Sequence, residues 1–145
     1  MNLSVLMPRK ISEEQRNMVD ALLTGYGITW EGMRYIDTEG ETDIEIWIHN
    51  DPENDLFWIQ GPVVVVWFIP MTEIELISKA GDKAYRECYR LAKDIAGIVN
   101  GVIYDHKINV VYSAEGEPID LLVVDRILPE YGRGVEIDRE KVSDS

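Results

Sequence analysis

Carboxylates, a histidine and two tryptophans cluster between residues 43 and 58, which makes this segment the first candidate for a functional site. The candidate binding residues are Asp43, Glu45, Trp47, His49, Asp51, Glu53, Asp55 and Trp58. Oxygen ligands at alternating positions suit a hard cation such as calcium. Pro52 interrupts the segment, however, and no glycine occupies the turn position of a calcium loop. An exposed turn is therefore favoured, and we expect no metal and no cofactor.

The other residues with reactive side chains are His106 and Cys88; the chain has two histidines and one cysteine. Asp105 beside His106 is compatible with a metal site or an acid–base pair. The two histidines share no spacing motif, so a turn position is favoured for His106. Cys88 lies on the apolar side of a predicted helix, where a buried, unreactive thiol is favoured over a nucleophile. One cysteine allows no internal disulfide, and we expect a cytoplasmic protein.

The sequence lacks the phosphate loop, the dinucleotide-binding glycine motif, the nucleophile elbow and paired cysteines. Carboxylates and tyrosines such as Tyr104 and Tyr112 can still do acid–base chemistry, so an enzyme stays open as an alternative. No apolar stretch reaches the length of about 20 residues that a membrane helix needs. We therefore expect no membrane association.

The charge distribution is uneven along the chain. No Lys or Arg occurs from Tyr35 through Ser78. The same stretch contains 10 Asp and Glu residues, which account for most of the net charge of −13. Such a balance repels nucleic acid and favours basic partners. The acids either form a solvated face or a docking surface with Trp47 and Trp58 as aromatic anchors.

Alternation of polar and apolar residues predicts the strand that presents these side chains. From Thr42 to His49, isoleucines occupy every second position and are expected to face the core. Asp43, Glu45, Trp47 and His49 then project together from the opposite face, next to the acidic turn at residues 51–55.

The longest apolar stretch, Val63–Ile69, lies between two prolines and predicts a central strand that is covered on both faces. Further strands are predicted at Leu3–Met7, Trp30–Ile36, Leu56–Ile59, Val102–Asp105 and Ile108–Tyr112.

Two helices are predicted from capping patterns and helical periodicity. Ser12 with Gln15 predicts a helix over Ser12–Thr24. Thr72 with Glu75 predicts the start of a second helix, whose apolar positions recur to Ile98, with a break at Gly81 and an end at Asn100.

This order of elements predicts an α+β fold, a ferredoxin-like plait with a mainly antiparallel sheet, two helices and a C-terminal addition. Residues 1–135 are expected to form one domain and residues 136–145 a polar, frayed tail. Residues 119–128 fit either a strand or a helix. Because a plait leaves one sheet face open, either the C-terminal segment or a second subunit must cover it, and the second case predicts a homodimer.

The leading functional hypothesis is a non-catalytic acidic interaction protein that binds a basic protein partner, for example an immunity or inhibitor protein. One alternative is a small-molecule-binding regulatory domain that acts as an oligomer. The other is an enzyme with a carboxylate-based site.

Overall fold

The computed structural model describes residues 2–37, 43–52, 56–60, 63–68, 70–79, 81–108, 110–118 and 135–138, and of 56–60, 63–68 and 135–138 it describes the backbone alone. The elements in chain order are β1 (Asn2–Met7), α1 (Glu13–Gly25), β2 (Ile28–Trp30), β3 (Tyr35–Asp37), β4 (Glu45–Asn50), β5 (Leu56–Gln60), β6 (Val63–Phe68), β7 (Thr72–Ile77), α2 (Asp82–Val99), β8 (Val102–Asp105), β9 (Val110–Tyr112) and β10 (Val135–Asp138).

Seven strands form one antiparallel sheet in the order β2-β3-β4-β7-β1-β8-β9. Alternate residues of its strands point to one face, where Val5 of β1 and Ile74 of β7 are paired and fully buried. Both helices pack on this face, since Leu23 of α1 and Ile95 of α2 belong to the same hydrophobic cluster. In its described residues the chain is therefore an α+β protein with two helices on a mainly antiparallel sheet, as the sequence predicted.

The ends of the helices follow from local capping. The predicted capping box is present at α1: the Ser12 Oγ accepts from the Gln15 N–H at 3.0 Å, and the Gln15 side chain accepts from the Ser12 N–H at 3.1 Å. Helix α2 ends where Asn100 adopts a left-handed conformation, with φ of 53°. The prediction of a helix start at Ser12 and a helix end at Asn100 is confirmed.

The predicted continuous strand Trp30–Ile36 is wrong. The structure divides it into β2 and β3, joined by a turn in which the Glu31 N–H donates to the Arg34 carbonyl at 2.8 Å. Gly32 adopts a φ of 76° there, which a residue with a side chain rarely adopts. The Glu31-Gly32 pair was the feature of the sequence that could have indicated this turn.

The predicted helix start at Thr72 is also wrong, because Thr72–Ile77 is strand β7, paired with β1 on one side and β4 on the other. Thr72 does not cap a helix. Its Oγ1 donates to the Arg9 carbonyl and accepts from the Ile11 N–H, both at 3.0 Å. Helix α2 begins only at Asp82, after Gly81, which is the position at which the sequence suggested a break.

The valine-rich strand β6 exists, but it does not lie in the seven-stranded sheet. It is the middle strand of a separate three-stranded sheet, between β5 and β10. The centre of the larger sheet is held by β7 and β1 instead. The predicted burial of Val63–Ile69 on both faces concerns side chains that lie outside the described part of the structure. Residues Glu136–Asp138, which were predicted to belong to a frayed polar tail, lie in β10. Residues 119–128 lie outside the described residues.

The helix-free face of the large sheet is not open at its centre. Ser4 and Leu6 of β1 and Val102 of β8 point to this face and are fully buried within the single chain. An uncovered apolar face was the reason to expect a homodimer, and that reason does not apply at the centre of this sheet. Among the described residues, no helix is long and apolar enough to cross a membrane.

We predict that Thr72→Val destabilises the protein by about 1–3 kcal/mol, because it leaves the partly buried Arg9 carbonyl and Ile11 N–H, in the segment before α1, without their partner. Chemical denaturation measures the free energy of unfolding. Thr24→Val is the matched control, since Thr24 is exposed and its hydroxyl donates only to the Asp20 carbonyl within α1. Equal losses for both variants would contradict the assigned role of Thr72.

Candidate functional site

Strand β4 presents the predicted alternation. Ile46 is fully buried on the helix side, whereas Glu45, Trp47 and His49 lie on the helix-free face and are half-buried. We call these three residues the β4 surface. Asp43, predicted to project from the same strand, precedes β4 and has a φ of 54°, so it is set apart from the other three.

Arg34, which the sequence analysis did not include, binds two members of the β4 surface. Its Nε forms an ion pair with the Glu45 Oε1 at 2.7 Å, and its guanidinium carbon lies 5.5 Å from the centre of the Trp47 ring. The Trp47 ring is parallel to the His49 ring, with 6.4 Å between centroids. The Arg34 and Glu45 side chains are both more than one-third exposed, so their ion pair contributes about 0–1 kcal/mol to stability.

A second ion pair joins Lys79 to Asp43, with 3.4 Å between the Lys79 Nζ and the Asp43 Oδ2. Arg34 and Lys79 are the basic residues that flank the base-free stretch in the sequence. Both form ion pairs with acids of that stretch, which reduces the net negative charge around Glu45 and Asp43.

A cleft of about 450 Å³ lies between these two ion pairs. Its lining includes members of both pairs together with Ile36 and Ile77. The cleft therefore combines apolar walls with charges of both signs, next to the exposed edge of the β4 surface.

The remaining predicted site residues are only partly described. Asp51 is exposed, has a φ of 52° and donates its N–H to the Met71 carbonyl at 3.0 Å. Glu53 and Asp55 lie outside the described residues, and Trp58 lies in β5, of which only the backbone is described. The acidic turn at 51–55 therefore stays a prediction.

Both histidines of the chain lie against glutamates of β7 on the helix-free face. The His49 Nε2 is 3.0 Å from the Glu75 Oε1, and the His106 Nε2 is 3.8 Å from the Glu73 Oε2. These pairs were not expected from the sequence, because Glu73 and Glu75 were predicted to lie in a helix. Alternation of Glu73 and Glu75 with buried Ile74 was the signal that could have placed them on a strand.

Ser4 connects His106 to Glu73. The Ser4 hydroxyl donates to the Glu73 Oε2 at 2.6 Å and also contacts the His106 Nε2 at 2.7 Å. Because the hydroxyl has a single proton, His106 must donate its Nε2–H to the Ser4 oxygen. A serine nucleophile needs the opposite direction, with the imidazole accepting the hydroxyl proton. Ser4 is also fully buried, so its hydroxyl is not accessible from the surface and its contacts hold β1, β7 and His106 together.

Asp105 and His106 do not form the acid–base pair that their adjacency suggested. Asp105 is buried on the helix side, where it accepts from the Tyr85 hydroxyl at 3.2 Å and from the Lys107 N–H at 3.0 Å. Burial and the nearby Asp105 raise the pKa of Tyr85 to about 12. Tyr85 therefore stays protonated and acts as a donor.

Cys88 is fully buried, and burial raises the pKa of its thiol to about 11. The thiol is therefore protonated at neutral pH and weakly nucleophilic, in agreement with the sequence prediction. Among the described residues, no group of three or more His, Cys, Asp or Glu side chains is arranged to hold a metal ion. The expectation of no tight divalent site stays a prediction.

The groups that surround Glu75 favour the ionised form of its carboxylate. Burial raises its pKa, but hydrogen bonds from His49 and from the Asn2 side chain at 2.8 Å, with the charges of both histidines, outweigh burial and lower the pKa. Glu75 thus serves as an ionised acceptor that joins β1, β4 and β7.

Comparison of the chain with protein-family models, with curated proteins and with solved structures found no match.

We predict that Ser4→Ala costs about 1–3 kcal/mol of stability, because it removes the hydroxyl that satisfies the buried Glu73 carboxylate. Glu73→Leu alone should also destabilise, since Ser4 then loses its acceptor. The double variant should cost clearly less than the sum, because it removes both polar partners together. Denaturation of the three variants and the wild type measures this coupling. Additive losses would show that Ser4 and Glu73 do not depend on each other.

We predict that the stabilising effect of Glu75 is lost in acid. Its pKa is lower in the folded chain than in the unfolded chain, so its contribution is present above the unfolded pKa of about 4.3 and declines as the pH falls through the folded pKa. Unfolding of wild type and Glu75→Gln between pH 7 and pH 3 should show a stability difference that shrinks on acidification. A difference that does not vary with pH would contradict this.

Proposed function

We propose that this protein is a non-catalytic interaction protein whose β4 surface, Glu45, Trp47 and His49, binds a basic segment of another protein. An immunity or inhibitor protein that neutralises a cationic target is the concrete form of this proposal. The observation that carries it is the contact of Arg34 with Glu45 and Trp47, because it is an example of a cationic side chain bound at this surface.

The arrangement of the β4 surface supports the proposal. A half-buried tryptophan beside a carboxylate combines an apolar contact area, a ring face that attracts cations and a hydrogen-bond acceptor. Tryptophan is also enriched among the residues that dominate protein–protein binding energies. One partner side chain can therefore use all three features at once.

The overall charge supports a basic partner. A net charge of −13 creates a negative potential that accelerates the association of cationic proteins and repels nucleic acid. Arg34 and Lys79 neutralise two acids near the cleft. The negative potential that attracts a basic partner therefore comes from the whole chain, and the β4 surface determines which partner side chain is bound.

The catalytic alternative has less support. A carboxyl that acts as a base near neutral pH needs a raised pKa, whereas the pKa of Glu75 is lowered. Ser4 donates to Glu73 and is not aligned for attack.

We also propose that the central strands form a ferredoxin-like plait. The strand order β4-β7-β1-β8 supports this interpretation, with α1 after β1 and α2 between β7 and β8. The β2–β3 hairpin, β9 and the three-stranded sheet are then additions. The cytoplasmic location expected from the single cysteine belongs to the same proposal.

We predict that Glu45→Gln with Trp47→Ala abolishes capture of a basic protein that the wild-type chain retains from a lysate of its native host. Loss of a central tryptophan anchor typically costs at least 2 kcal/mol, or about 30-fold in Kd. With the captured protein in purified form, Glu45→Gln should slow association in a salt-dependent way, and Trp47→Ala should mainly accelerate dissociation.

The matched control is Glu14→Gln with Trp30→Ala, which removes one carboxylate and one tryptophan from a different place. Glu14 is exposed in the first turn of α1, and Trp30 is 41% exposed at the end of β2. The control should retain the partner as the wild type does. Retention of the same proteins by all three chains would refute the β4 surface as the binding site.

A further inference from the structure

We infer that the partner residue bound by the β4 surface is an arginine, and that Arg34 occupies its position in the free protein. This inference rests on the proposed function and specifies its partner. Binding then requires an exchange, in which the arginine of the partner displaces Arg34 from Glu45 and Trp47.

The geometry of the Arg34 contacts selects a guanidinium. Its Nε lies 2.7 Å from the Glu45 Oε1 in an ion pair, while its central carbon lies 5.5 Å from the Trp47 ring centre. A guanidinium can make both contacts together because it is planar, weakly hydrated and has donors on several edges. A lysine ammonium is a compact, strongly hydrated charge and matches this pair of contacts less well.

The position of Arg34 allows the exchange. Arg34 ends the turn between β2 and β3, and it is not held inside a strand or helix. Its side chain is 37% exposed and that of Glu45 is 40% exposed, so neither partner of the ion pair is enclosed in the hydrophobic core. The cleft of about 450 Å³ beside them has room for a second long side chain.

Lys79 provides the control for a simple effect of charge on binding. Lys79 lines the same cleft, but it binds Asp43 at 3.4 Å and not the β4 surface. Removing either base makes the cleft more negative by one charge. Only the removal of Arg34 also frees Glu45 and Trp47.

The experiment measures binding of fluorescently labelled nona-arginine and nona-lysine by anisotropy at about 0.15 M salt, where long-range electrostatics are largely screened. Arg34→Gln should bind nona-arginine more tightly than wild type, by up to about fivefold, since an exposed ion pair contributes at most about 1 kcal/mol. Lys79→Gln should give a smaller gain, equal for the two peptides. Arg34→Lys, which keeps the charge, should also bind nona-arginine more tightly than wild type.

The outcomes distinguish the inference from the function on which it rests. Equal gains for Arg34→Gln and Lys79→Gln, or wild-type affinity for Arg34→Lys, would overturn the exchange and leave only charge. If Glu45→Gln with Trp47→Ala binds nona-arginine as the wild type does, the β4 surface itself is wrong and the proposed function fails. Thermal unfolding of each variant confirms that the comparison is made between folded proteins.

Discussion

The structure depends on satisfying one buried carboxylate at the centre of its large sheet. Glu73 is 3% exposed on β7, between β4 and β1. A buried charge without partners would cost several kcal/mol, so the neighbouring strands must supply donors. Ser4 of β1 donates its hydroxyl to Glu73. His106, directly after β8, contacts the same Ser4 hydroxyl. Three chain segments that are distant in sequence are thereby fixed against one another.

This requirement also fixes the faces of the sheet. Glu73 and Glu75 alternate with Ile74 and Leu76, which are fully buried against the helices. A shift of β7 by one residue would place both carboxylates in the hydrophobic core and both apolar residues on the polar face. The hydrogen bonds from Ser4, Asn2 and His49 therefore reinforce a register that the hydrophobic pattern alone already favours.

Local signals in the sequence predicted local structure, and they failed where pairing is long-range. The Ser12 capping box and the isoleucine alternation of β4 involve residues a few positions apart, and both were confirmed. The Thr72–Glu75 pattern has the same spacing as a capping box, yet pairing with β1 and β4 makes it a strand. Likewise, a stretch without bases looked like an unopposed acidic face, but its flanking residues Arg34 and Lys79 return to it through the fold. The two histidines gave no spacing signal because their partners come from other strands.

The helix-free face divides into two parts with different roles, and the difference follows from burial. Around Ser4 and Glu73 the polar groups are buried, so their contacts are costly to break and serve the fold. Around Glu45 and Trp47 the contacts with Arg34 are partly exposed, so they add little to stability and can be replaced by equivalent contacts from another molecule. A binding surface needs groups that can change partners without unfolding the chain. On the described part of this face, that condition is met along β4 and not at the centre of the sheet.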